Sequence, residues 1–272
     1  MKLKSEAITA FFEAEKIEHF SAIPADKLRV IQPQKLTFMG FDPRSAIVIC
    51  VPYFYPDEKE SNLSMYARSK DYHLYFKELF VRLGRLLTDL YPGLVFRGYA
   101  DSSPFDERSA AESAGLGYVG DHGLLICEPY GSYVFIGMML GDLPYAMLAD
   151  EVPKKLCKEC LHCGACKKCC PSPDACLSSL TQKKGELSKD EIDLILRGKL
   201  IWGCDSCQEC CPLNREIKVS PIAFFSKDRI GVLTRDMLCN MPDEQFLARA
   251  FAWRKRETIL RNIKLFETHK GY

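Results

Sequence analysis

The apolar positions of the first half of the chain fall into two rhythms. From Ala7 to Lys16 they recur at helical spacing, with Ile8, Phe11 and Phe12 on one face. Ser45 to Tyr53 reads SAIVICVPY, an apolar run rich in β-branched residues and closed by proline, which predicts a buried strand with Cys50 in the core. Asp71 to Leu90 returns to helical spacing, with Leu79, Leu83, Leu86 and Leu90 set for one face. Leu94 to Ala100 predicts another strand, which runs into Asp101-Ser102-Ser103-Pro104 and then a helix through Ala114. Gly115, Gly117, Gly120 and Gly123 punctuate the next loop, and short strands are expected over Leu124–Cys127 and Ser132–Met139. The stretch holding Pro24 and Pro33 carries no clear pattern. Strands alternating with helices predict an α/β domain over residues 1–150.

The second half is patterned differently. Ser188 to Leu200 predicts a helix, with Ser188 as N-cap and Glu191 three residues on, a capping box. From Pro212 to Pro242 the sequence reads as loop, and Asp243 to about Glu267 reads as one helix. The division expected is 1–150, then 151–240, then a C-terminal helix over 241–272.

Composition narrows the class. The chain has 272 residues, 47% of them hydrophobic, enough for one large domain or two modest ones. No apolar run approaches the roughly 20 residues of a membrane helix. Glu6, Glu13, Glu15 and Lys16 interrupt the start, so no signal peptide is predicted. Fourteen cysteines without an export signal point to the reducing cytoplasm. A net charge of +1 argues against a generally basic nucleic-acid binder but leaves room for a local patch. The candidate patch is Arg254, Lys255, Arg256, Arg261 and Lys264 on the last helix.

The cysteines change the picture. Eleven of them lie between Cys157 and Cys211. Cys160, Cys163, Cys166 and Cys170-Pro171 follow the C-x2-C-x2-C-x3-C-P run of a bacterial-type ferredoxin, where three cysteines hold one 4Fe–4S cluster and the fourth reaches a second. Cys204, Cys207 and Cys211-Pro212 repeat the run with its middle cysteine missing. Two cubes need eight ligands and these make seven, with Cys157, Cys169, Cys176 and Cys210 available for the last place. Cys176 is the choice, because Cys169 and Cys210 each neighbour a committed ligand. With swapped fourth cysteines, one cluster takes Cys160, Cys163, Cys166 and Cys211, the other Cys170, Cys176, Cys204 and Cys207. Zinc is a poorer match to Cys-Pro and to this number of thiols. A ferredoxin-like α+β domain with two 4Fe–4S clusters is therefore expected after the α/β domain. Gly115-Leu116-Gly117 through Gly120 resembles a nucleotide loop, but it follows a helix rather than a strand.

Four further stretches precede the cysteines in a fixed order. They are Tyr66-Ala-Arg-Ser-Lys-Asp71-Tyr72-His73, Asp101-Ser-Ser-Pro-Phe-Asp-Glu107-Arg108, Ala114-Gly-Leu-Gly-Tyr-Val-Gly120 and Gly131-Ser-Tyr-Val-Phe-Ile-Gly137. With the double cysteine run, this set resembles the epoxyqueuosine reductase family over roughly residues 45–215, with an echo in Ala252-Trp253-Arg254-Lys255-Arg256 and Arg261-Asn262. The resemblance implies a cobalamin besides the two clusters, and reduction of the epoxide of epoxyqueuosine in the tRNA anticodon to give queuosine. It implies Cys176 as the eighth ligand and Asp101 as proton donor. It places Tyr66, His73, Leu125, Ile136, Asp205 and Ser206 at the cofactor. It also implies a short form, without the helical-repeat domain that other members carry after the Trp-Arg region.

The residues leave other uses open. From the residues alone Asp101 before Pro104 reads as a helix N-cap, the commoner use of Asp-x-x-Pro, and Glu107 with Arg108 as a structural ion pair. The alternative functions are a corrinoid-dependent reductase of a small molecule, akin to reductive dehalogenases, and a ferredoxin-like electron carrier. The expected partners are the tRNA anticodon loop and a low-potential donor such as a flavodoxin or ferredoxin, with no membrane and a monomeric chain.

Overall fold

The structure, a computed structural model, describes residues 3–57, 60–154, 158–172 and 174–269. It forms two compact units that interleave along the chain. The first takes residues 1–53, 73–162 and 220–222, and the second takes 54–72, 163–219 and 223–272. The sequential division at 150 and 240 thus follows the order of the motifs, whereas the packing sends 54–72 and the C-terminal residues into the same unit as most of the cysteines.

The first unit contains α1 (Glu6–Ala14), β1 (His19–Pro24), α2 (Pro33–Leu36), β2 (Ser45–Pro52), α3 (Tyr72–Leu90), β3 (Phe96–Tyr99), α4 (Glu107–Ser113), β4 (Tyr118–Val119), β5 (Leu125–Ile126), β6 (Val134–Gly141) and α5 (Tyr145–Leu148). Four strands form one sheet in the order β1-β2-β6-β3, antiparallel throughout, and β4 pairs with β5 apart from it. β2 is buried at every position, as its unbroken apolar run demands. One face, with Ala46, Val48, Cys50, Met138 and Leu140, joins Ala110, Ala111 and Ala114 around α4. The other face meets α3. A Cβ on Gly137 would come within 2.3 Å of the Phe76 ring, and one on Gly98 within 2.1 Å of Phe80. Glycine at both places is what lets the helix lie so close to the sheet. The buried stripe of α3 is Tyr75, Phe76, Leu79, Leu83 and Leu87. Leu90, expected on that stripe, is 38% exposed.

β1 lies in the stretch without pattern. It is an edge strand of six residues, with three buried in a row and a proline at its end, a place where a missing N–H breaks no ladder. Its burial does not alternate, so periodicity has nothing to detect.

The second unit contains α6 (Ala165–Cys169), α7 (Leu177–Thr181), α8 (Lys189–Gly198), α9 (Ser206–Glu209), α10 (Arg235–Asn240), α11 (Asp243–Leu247) and α12 (Lys255–Thr268). Its core gathers Leu63, Trp202, Phe246, Phe251, Ile259 and Ile263. The α8 capping box forms as expected, with Ser188 and Glu191 each accepting the other's backbone N–H. Three expectations are corrected. Among the described residues this unit has no named strand, only isolated bridges such as Leu63 with Trp202, so its ferredoxin-like character does not extend to an α+β sheet. The cysteine-rich stretch lacks any alternating apolar run that could build one. The helix expected over 243–267 is two helices with a 3-10 turn at Ala252–Arg254 between them. The basic face is partly consumed inside the fold. Arg256 donates to the carbonyls of Leu238 and Met241, and Arg261 to those of Lys183 and Gly185 at 2.7 Å each.

No described helix is long and apolar enough to cross a membrane.

Candidate active site

The second unit brings four of the expected cluster thiols together. Cys204 and Cys207 bracket the start of α9, Cys170 follows α6 and Cys176 caps α7. Burial first, then the neighbouring Cys204, Cys176, Asp205 and Cys170, push the Cys207 thiol up to about 12. Burial likewise raises Cys204, with Asp205 and Cys176 adding to it and Ser206 opposing. Two thiols held protonated, with two more sulfurs beside them, are a donor set suited to a cation that neutralises them. Cys166 faces a different neighbour. Burial and a hydrogen bond with Cys169 push Cys210 up to about 12, with Cys166 alongside. Cys211 is buried and Cys163 exposed. Cys160 belongs to the first unit, where its sulfur, Asp121 and His162 bring their ligand atoms within 4.8 Å of one another. His162, expected only to pack between cysteines, holds Asp121 at 2.9 Å. No disulfide occurs among the described cysteines. Cys157 lies outside the described residues.

The loop carrying Cys204 is anchored from below. Gly203 has φ +75°, and a Cβ there would lie 2.4 Å from that of Ser64. The next-but-one residue, Asp205, is 3% exposed, accepts from Ser64 Oγ at 2.6 Å and also accepts from the backbone N–H of Met65. Burial pushes its carboxyl up while these bonds oppose. Asp205 therefore ties the ligand loop to the 64–65 turn. Ser206 opens α9 with its Oγ 3.4 Å from the Cys204 sulfur. The Tyr66 hydroxyl accepts from Trp202 Nε1 at 2.8 Å.

In the first unit, β3 ends at Tyr99 and the chain turns at Asp101 with φ +59°. The cap of α4 is Asp106, whose carboxylate accepts from the N–H groups of Arg108 and Ser109. The N-cap reading of Asp101 is thereby corrected. The Asp101 side chain is 62% exposed, and its Oδ2 lies 3.8 Å from His73 Nε2 on α3. Leu125 is buried in the core cluster on the α4 face, and Ile136, partly buried, packs against that cluster together with Tyr99.

Sequence reasoning missed Glu107. The expected ion pair is not formed, because Arg108 turns away to the Gly123 carbonyl at 2.7 Å and to Asp106. Glu107 instead accepts the backbone N–H of Asp101 through Oε2 at 3.0 Å, and its Oε1 is shut from solvent without a hydrogen-bond partner. Burial pushes its carboxyl up to about 7, against the N–H groups of Asp101 and Ser103 and against His73. A glutamate in the first helical turn gives no sign in sequence that the chain before it folds back onto it. Cys50 also has more company than a core residue needs. It donates to Cys127, and that bond together with one from His19 outweighs burial and brings Cys127 down to about 6.

Known proteins resemble this chain in sequence and in fold. Residues 34–102 match the family model described as epoxyqueuosine reductase QueG, DUF1730. A curated epoxyqueuosine reductase of Aliivibrio fischeri is 33% identical over 76% of this chain and 54% of the relative. That of Bacillus cereus is 29% identical over 94% of this chain and 77% of the relative. The chain spans about half the length of the first curated relatives it matches. Among solved structures, an epoxyqueuosine reductase from Streptococcus thermophilus superposes with a TM-score of 0.74 at 20% identity, over 95% of this chain and 79% of that one. An epoxyqueuosine reductase solved with an epoxyqueuosine-modified tRNA-Tyr stem loop gives 0.75 at 20% identity, over 97% and 80%. At that identity the likeness is one of fold.

Proposed function

We propose that the chain acts as a member of the epoxyqueuosine reductase family and reduces epoxyqueuosine in a tRNA anticodon to queuosine. The reading includes two 4Fe–4S clusters and a cobalamin. It places the reaction in the cytoplasm, with electrons from a flavodoxin- or ferredoxin-type donor and a monomeric chain. The observation that carries it is the convergence of Cys170, Cys176, Cys204 and Cys207. Those four would hold one cube, and Cys160, Cys163, Cys166 and Cys211 the other. Removing the oxygen of an epoxide takes two electrons and two protons and releases water. Bound cobalamin would supply a strongly reducing cobalt centre, and the clusters electrons one at a time at low potential.

The chain's own residues supply position and protons. Asp101, exposed beside His73, is placed to give a proton to the oxygen as it leaves carbon, while the imidazole at 3.8 Å stands beside the donor. Leu125 and Ile136, packed in the core on the α4 face, would be the apolar positions nearest the cofactor. Asp205 sets the Cys204–Cys207 loop through Ser64 and Met65, and Ser206 and Tyr66 would be the polar groups of that unit toward the cofactor.

The test is anaerobic reconstitution, metal analysis and turnover on an epoxyqueuosine stem-loop. Eight irons per chain and an added corrin spectrum are expected. Cys207→Ser should lose about half the iron and Cys169→Ser none. Stoichiometric zinc in place of iron would refute the cluster assignment. Turnover absent with clusters and corrin in place would refute the substrate.

A further inference from the structure

The Asp101 turn contains a feature that the proton-donor role does not use. Asp101 is a non-glycine residue in the left-handed region, a conformation that costs energy unless something holds it. Its backbone N–H donates to Glu107 Oε2 at 3.0 Å, a bond that helps to hold the turn. Glu107 comes from the first turn of α4, already fixed by the Asp106 cap, so the acceptor is held in place independently of the turn. The second oxygen of Glu107 is buried with no hydrogen-bond partner, an arrangement that a purely structural carboxylate rarely keeps. We propose that Glu107 is a positioning residue, a proton-operated latch that fixes the Asp101 turn by accepting its backbone N–H and releases it when Oε1 takes up a proton. The inference rests on the proposed role of Asp101 in epoxide reduction.

The chemistry of the latch follows from charge. An ionised carboxylate accepts an N–H bond about twice as strongly as a neutral acid. A proton on Oε1 removes that charge and makes the group a donor without an acceptor. Burial sets the changeover at about 7. The groups facing Glu107 are Asp101, which disfavours its charge, and the Ser103 N–H and His73, which favour it. The latch is therefore closed above pH 7 and loosened below it.

Two measurements on the full chain test this. The first needs no substrate. Hydrogen–deuterium exchange of the peptide spanning 98–105 should show protection of the Asp101 amide. That protection should increase as pH rises through 7 in the wild type, stay level in Glu107→Gln and fall at least tenfold in Glu107→Ala. The second is kcat of the reconstituted holoenzyme on the stem-loop between pH 6 and 8.5. The ratio of wild type to Glu107→Gln should climb about tenfold with a midpoint near 7, while KM and iron content stay unchanged. A ratio independent of pH, or unchanged exchange at Asp101 in Glu107→Ala, would overturn the latch. A wild-type holoenzyme inert on the stem-loop would refute the epoxyqueuosine reading instead, and exchange alone would then decide the latch.

Discussion

Asp101 shows what a single dihedral can exclude. With φ +59° it stands outside α4, whose N-terminus is already served by Asp106, so capping no longer accounts for an aspartate here. Asparagine tolerates the left-handed region at least as well as aspartate, so Asp101→Asn keeps the turn while removing the acid. We expect both clusters and the melting temperature to be retained and turnover to fall by about 10²-fold or more. Rapid-mix single-turnover assays with parallel iron analysis check this, and wild-type rates in the variant would remove Asp101 from the chemistry. The resemblance singled out Asp101. Glu107 stayed invisible because its role is to a backbone N–H six residues earlier, and no side-chain pattern encodes that contact.

Among the elements, the close seat of α3 on the sheet is the most demanding. Gly137 lies opposite Ile49 in the β2–β6 ladder, under the Phe76 ring. Gly137→Ala places a methyl 2.3 Å from that ring, and both helix and strand are held by further contacts such as Phe80 over Gly98. Overpacking of this kind costs about 1–3 kcal/mol, enough to lower Tm by roughly 2–10 °C. Thermal unfolding of the variant is the measurement, and an unchanged Tm would mean that α3 shifts freely. Elements with a strong rhythm were legible: α1, β2, α3 and the boxed α8 all stand close to where their apolar spacing puts them. β1, which buries three successive residues, and the break at Ala252–Arg254, which interrupts a helix-favouring sequence, were not, since tertiary packing decided both.

For the molecule as a whole, the interleaved path was the least legible feature. Spacing suggests a ligand set, yet nothing local reveals that 54–72 packs with residues beyond 200. One ion-pair group marks that return. Asp57 bridges Arg68 at 2.7 Å and Arg229 at 2.9 Å, and the two arginine side chains are only 11% and 12% exposed. Burial alone would raise its pKa, but the bonds to Arg229 and Arg68 outweigh it and hold the carboxyl below its ordinary 3.8. A depressed folded value means that this stability is complete above about pH 4 and is lost as pH falls through the folded value. Asp57→Ala should cost about 3 kcal/mol at pH 7 by leaving two shielded guanidinium groups uncompensated. The gap to wild type should shrink in acid, as urea unfolding at pH 7 and pH 3 will show. An equal gap at both pH values would assign the loss to packing instead.

The same bridge sets a timetable for the newborn chain. Asp57 and Arg229 are 172 residues apart, so at about 5–20 residues per second the ribosome needs roughly 10–30 s to deliver the second after the first. Through that interval the 54–72 segment waits for its partners, while the thiols from Cys160 to Cys211 emerge one by one, ahead of the arginine that completes their unit. Iron and sulfide delivered early would meet cysteines on a still unfinished support, and delivered late would find the loop already tied down through Asp205 and Ser64. If the proposed clusters are built here, their maturation is a matter of order in time as well as of ligand number in space.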